Sequence, residues 1–118
     1  MKLQVNRKQK YNAKPTEYKG RKYDSKAEAA YARQLDQMQE AGIVHLWLRQ
    51  IPFDLGQDSR YRSDFLIILS SGEFFAADVK GVETASWKRT KRLWKKYGVM
   101  PLHVIKKGKT TEIIERNG

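Results

Sequence analysis

Residues 61–81 read YRSDFLIILSSGEFFAADVKG, two apolar runs joined by Ser70-Ser71-Gly72. The runs Phe65 to Leu69 and Phe74 to Lys80 have strand composition, and the Ser-Ser-Gly step has the turn chemistry that closes a hairpin. Side chains alternate along a strand, so Asp78 and Lys80 share a face with Ala76, while Phe75, Ala77 and Val79 share the other. A loop of residues 70–72 sets Asp64 across from Asp78, at the roughly 5 Å separation of cross-strand neighbours. An apolar hairpin has no structural need of two acids and a lysine there. Two carboxylates that close repel unless a cation stands between them, and a one-residue slip in register would send them to opposite faces.

Upstream, Ser25 to Ala41 has the marks of a helix: Ser25 as N-cap, Glu28 three residues on, a run of alanines, and Gly42 at the terminating position. Its buried stripe is Tyr31, Leu35 and Met38, and one turn back along that stripe lies Glu28, away from Lys26, Arg33 and Gln37. Ser25-x-x-Glu28 also matches a capping box, so Glu28 is either a cap or a catalytic carboxylate. Before this helix, Lys19-Gly20 between Tyr18 and Tyr23 suits a small hairpin. After it, Ile43 to Leu55 alternates as two short strands with Pro52 as a break or edge position. Gln50 stands at the end of the first of them, where it could face Asp78. His45 and His103 are too far apart in sequence for a zinc motif and are assigned to none.

Downstream, Thr84 to Tyr97 reads as a helix with six basic residues in the nine positions 88–96, interleaved with Trp87, Leu93, Trp94 and Tyr97. The aromatics anchor it, the cations face outward, and Gly98 closes it. Val99 to Ile105 then reads as a strand and Thr110 to Ile114 as a last one. The order is helix, three strands, helix, two strands, in one domain at 118 residues.

The net charge is +11 and is carried by the ends: residues 1–24 hold eight Lys/Arg against two acids, and residues 81–118 hold ten against three. A polyanion, nucleic acid before membrane, is the partner this implies; a basic coat kept for solubility is the plainer alternative. Residues 1–14 read as a basic flexible arm and residues 15–118 as the folded domain. Cysteine is absent, which removes disulfides, thiolate zinc sites and a cysteine nucleophile. No apolar run has the length of a membrane span and the start lacks a signal-peptide core, so a cytoplasmic protein is expected.

Phosphodiester cleavage needs an activated water and neutralised charge on the leaving and equatorial oxygens, both within reach of carboxylate-held Mg2+. Asp64 and Asp78 suit the ligand role, the Val79 carbonyl could add a third donor, and Glu28 could complete the shell through water or a second metal. Lys80 could orient or deprotonate the water or stabilise the charged phosphorus centre. A cross-strand salt bridge from Lys80 to either aspartate is the structural alternative.

The conjunction resembles the PD-(D/E)XK nuclease superfamily, whose core is an αβββαβ sheet and whose site joins a helical Glu, a second-strand Asp and a third-strand (D/E)-x-K. More narrowly, KYNAKPTEYKGRKYDSKAEAAYARQL, LRQIPFDL, YRSDF and ADVKG resemble a family of small phage and prophage proteins catalogued as a domain of unknown function. The resemblance spans about Lys10 to Lys107. It implies an α/β restriction-endonuclease-like mixed sheet and a catalytic set of Glu28, Asp64, Asp78 and Lys80. Ser63 stands in place of the name-giving proline, and the third-strand acid is Asp. The function implied is a Mg2+-dependent DNA endonuclease, with Mn2+ able to substitute. Lacking an obvious target-recognition domain, it is expected to select branched, flapped or junction DNA, as a homodimer if two strands are cut. Lys22, Arg62, Lys88, Arg89, Lys91, Arg92, Lys95 and Lys96 are the expected DNA contacts. A non-catalytic nucleic-acid-binding module on the same fold is the alternative, and an accessory protein-binding role is a third.

Overall fold

The hairpin predicted at residues 61–81 forms the middle of a five-stranded sheet. The computed structural model describes residues 14–117, and the first fourteen residues, read as a basic arm, lie almost wholly outside them. A small hairpin comes first, β1 (Thr16–Tyr18) and β2 (Arg21–Tyr23), turning through Lys19 and Gly20 at φ 52° and 79°. It is followed by α1 (Lys26–Glu40), β3 (Val44–Asp54), β4 (Arg60–Leu69), β5 (Phe74–Val79), α2 (Ala85–Tyr97), β6 (Leu102–Lys106) and β7 (Lys109–Ile114). The large sheet runs β3-β4-β5-β6-β7, antiparallel throughout except for the parallel β5–β6 pair that α2 connects. This is an α+β domain with a mixed sheet.

The helix ends follow their sequence signals. The Ser25 hydroxyl accepts the Glu28 N–H at 3.1 Å. At the other end Gly42, at φ 81°, lets Ile43 N–H return to the Met38 carbonyl (2.9 Å) and its own N–H reach Gln39 (3.1 Å), a Schellman close. Thr84 caps α2 by accepting the Trp87 N–H at 3.1 Å. Gly98 closes α2 for a reason the sequence hid. Its φ is −61°, not left-handed, but a Cβ there would lie 2.6 Å from the Trp94 ring.

Alternation along β4 and β5 divides the core. Phe65, Ile67 and Ala77 pack with Tyr31, Ala32 and Leu35 of α1 and Tyr23 of the small hairpin; Ala76 packs with Trp87 and Trp94 of α2, Leu102, Val104 and Ile114. Each large side chain fully withdrawn from water here contributes about 1.5–3 kcal/mol.

Of the two expectations for Pro52, a break and an edge position, the edge is found, and the two short strands are joined into one. β3 is one strand of eleven residues, with Pro52 paired to Arg62. It lies at the sheet edge, where a residue without an N–H costs no ladder bond on the open side. Gln50 takes a left-handed φ of 55°, and beyond it Phe53 and Tyr61 pack against the α2 cluster, whereas Trp47, of the same parity, packs on the α1 side. The long ribbon thus coils from one face of the sheet to the other. Among the described residues no helix is long and apolar enough to cross a membrane.

Candidate functional site

The turn at residues 70–72 gives the hairpin the register its length implies. Ile68 pairs with Phe74, Ile67 with Phe75, Leu66 with Ala76 and Phe65 with Ala77. One step further along, Asp64 stands opposite Asp78. At this point the backbone ladder gives way to side chains: Asp64 N–H donates to Asp78 Oδ1 (2.7 Å), and Val79 N–H donates to Asp64 Oδ2 (2.9 Å). Asp78 Oδ2 accepts the Tyr61 hydroxyl. Asp78 is fully buried and Asp64 half-buried.

Burial of two acids this close has an electrostatic consequence. Asp64 is pushed up from 3.8 to about 8, first by burial, then by the charges of Asp78 and Glu28, against the pull of the Val79 N–H and Lys80. Asp78 is also raised by burial, opposed by Lys80, by the Tyr61 hydroxyl, by the Asp64 N–H and by a hydrogen bond to the Asp64 carboxyl itself. Both carboxyl groups are thus pushed toward their protonated forms, and the two titrate as a pair.

Glu28 reaches this pair from α1. The residue is only 7% exposed, and its charge raises Asp64, so the residue that receives the helix cap through its N–H also acts electrostatically on the pair. Lys80 follows Asp78 on the same strand face. Its ammonium lies 4.4 Å from the Trp87 ring centroid and 5.8 Å from that of Tyr61, and among the described residues it forms no ion pair with either aspartate. Val79 is engaged through its N–H. Among the described residues, the hydrogen bonds on the aspartates come from Tyr61, Val79 and the aspartates themselves, and none from Gln50.

Among the described residues no three His, Cys, Asp or Glu side chains gather closely enough to make a complete metal cage. His45 is exposed and His103 stacks on Phe75 at 3.8 Å, on the α1 side of the sheet. The donor set is two adjoining carboxylates with a third acid nearby. That suits Mg2+, which keeps several waters and is held by one or two carboxylates together with substrate phosphate. It does not suit a closed zinc site.

Five of the expected DNA contacts, Lys88, Arg89, Arg92, Lys95 and Lys96, are exposed along α2. Arg89 also donates to Ser59 Oγ at 2.9 Å. Lys91 stands apart from them: it pairs with Glu83 at 2.6 Å and Glu112 at 3.5 Å, tying α2 to β7 and to its own leading loop. Arg62 is exposed on β4 opposite Pro52, and Lys22 is exposed on the small hairpin in the α1 layer.

Two site residues escaped the sequence reading. Tyr61 has the parity that would turn it away from Asp64 in a flat strand, and only the coil beyond Gln50 brings it to Asp78. Trp87 reads as a helix anchor, which it is, and also forms the platform under Lys80. A family described as Protein of unknown function (DUF1064) matches residues 8–112, and the chain belongs to it. No curated protein and no solved structure matches the chain.

Proposed function

We propose that this DUF1064 protein is a metal-dependent nuclease of the PD-(D/E)XK kind, hydrolysing phosphodiester bonds in DNA. The observation that carries the reading is the register-matched pair Asp64 and Asp78, with Lys80 on the same strand face and the charge of Glu28 acting on Asp64. The order α1-β3-β4-β5-α2-β6 supports it, since it puts the acids on the second and third strands of an αβββαβ core.

Asp64 and Asp78 would hold Mg2+ through their carboxylate oxygens, with Glu28 completing the shell through water. When bound, the cation supplies charge neutralisation at the phosphate and a more acidic water. Asp64 fixes the Val79 end of β5 by accepting its N–H, so the ligand and the backbone that carries Lys80 move as one unit. Lys80, held over two aromatic rings and not paired to an acid, keeps its ammonium available to a water or a phosphate oxygen. The cations along α2 supply phosphate contacts that do not depend on base sequence. Those contacts favour recognition of DNA shape, and the substrate proposed is branched, flapped or junction DNA.

One observation favours the alternative of a non-catalytic DNA-binding module. The aspartates already accept three protein hydrogen bonds and can share a proton, a self-contained structural unit. The two readings separate when supercoiled, linear, flapped and four-way-junction DNA is incubated with the protein in Mg2+, Mn2+ or EDTA. Cleavage that needs metal and is lost in Asp78→Asn, with DNA binding retained, supports the nuclease. Intact DNA under every condition, with binding retained, supports the module.

A further inference from the structure

We infer that Tyr61 is a positioning residue of this site, orienting the Asp78 carboxyl group for its cation; the inference rests on the nuclease reading above. Tyr61 is held on several sides. Its ring centroid lies 6.2 Å from that of Trp87 and 6.5 Å from that of Trp94, edge-on to the latter at 85°. Trp94 is itself fully buried, its indole N–H donating to the Met100 carbonyl at 2.7 Å. The phenol therefore has a fixed direction, and that direction ends on Asp78 Oδ2.

Asp78 Oδ1 is held at the same time by the Asp64 N–H. With one donor on each oxygen, the carboxyl plane is held from both ends, and the second lone pairs are left to face Asp64 or a cation. A carboxylate that binds a cation needs such outer partners, and removing one typically lowers metal affinity 10- to 100-fold. Tyr61 is one of the two donors that hold Asp78 in this way. It enters from the α2 side, where the coil of the β3–β4 ribbon delivers it. Its ring face also lies 5.8 Å from the Lys80 ammonium, so one side chain sets the direction of the proposed ligand and part of the surroundings of the proposed catalytic lysine.

Tyr61→Phe isolates the hydroxyl, because the ring that packs on Trp87 and Trp94 and faces Lys80 remains. Mn2+ binding at pH 7.5 is read by electron paramagnetic resonance of the free ion and by calorimetry, on wild type, Tyr61→Phe and Ser63→Ala. Ser63→Ala is the control: it deletes a buried hydroxyl two residues away whose hydrogen bond goes to the Phe65 carbonyl and not to an aspartate. The expected result is a dissociation constant about tenfold higher in Tyr61→Phe, with Ser63→Ala close to wild type. Equal affinity in wild type and Tyr61→Phe overturns the inference and leaves the metal site standing, as does an equal loss in both variants, which marks a general structural effect. Wild type that binds no Mn2+ overturns the metal site itself and the inference with it.

Discussion

Asp64→Asn should make the protein more stable in alkaline solution while abolishing its response to magnesium. The Asp64 carboxyl is raised from 3.8 to about 8 in the folded chain, so between those values the folded state holds a proton that the unfolded state has released. Stability from this group is complete below the unfolded value and is lost as pH rises toward 8, at about 1.4 kcal/mol per pH unit. Between pH 5 and pH 8 the loss sums to about 4 kcal/mol. Asparagine does not titrate, keeps an oxygen for the Val79 N–H and gains an N–H for Asp78. In EDTA the variant and wild type should therefore match near pH 4.5, and the variant should be more stable by about 3–4 kcal/mol at pH 8, a shift of about 2 M in urea midpoint. The assay is urea unfolding followed by tryptophan fluorescence across pH, repeated with about 10 mM MgCl2, an excess that stabilises wild type by mass action. A stability difference that does not change with pH would refute the reasoning, because it would mean that the pair is not carrying a buried charge. Equal stabilisation of both proteins by magnesium would refute the assignment of Asp64 as its ligand.

Trp87→Leu should destabilise the fold by about 2–4 kcal/mol, from the cavity beside Trp94, and should lower cleavage at saturating DNA by more than it weakens binding, since Lys80 loses its platform. Replacing Lys88, Arg92 and Lys95 with glutamine should weaken DNA binding and flatten its logarithmic salt dependence by about 0.9 for each phosphate no longer neutralised, read by fluorescence anisotropy, whereas Lys91→Gln should leave the slope unchanged. Gly98→Ala should cost about 1–3 kcal/mol by chemical denaturation, because its Cβ would meet the Trp94 ring at 2.6 Å.

The parts of the site that the sequence discloses are those set by local geometry. The Asp64–Asp78 pairing follows from a turn of known length and a side-chain period of two, and the placement of Glu28 follows from the cap at Ser25 and the 3.6-residue period of α1. The same logic orders the secondary elements, because caps, glycines and alternation each act over a few residues. It fails where two elements meet over long sequence separations. Lys91 looks like its neighbours on α2, and its ion pairs with Glu83 and with Glu112 on β7 make it a structural tie. Pro52 reads as either a break or an edge position, and only the assembled sheet, which puts β3 at its edge, selects between them.

Tyr61 is the instructive failure. The period-two rule assigns it to the face away from Asp64, and it would be right for a short flat strand. β3 and β4 are eleven and ten residues long, and Gln50 adopts a left-handed backbone within the pair. Over that length the ribbon coils far enough for its outer end to cross from the α1 side of the sheet to the α2 side, so parity stops reporting the face. The coil serves two ends together: it lays Phe53 against Trp94, at 4.9 Å between centroids, closing the core under α2, and it carries the Tyr61 hydroxyl onto Asp78. The packing that stabilises the basic helix is thus the packing that aims the carboxylate. A substitution chosen to loosen α2 should then disturb the aspartate pair before it disturbs the rest of the sheet.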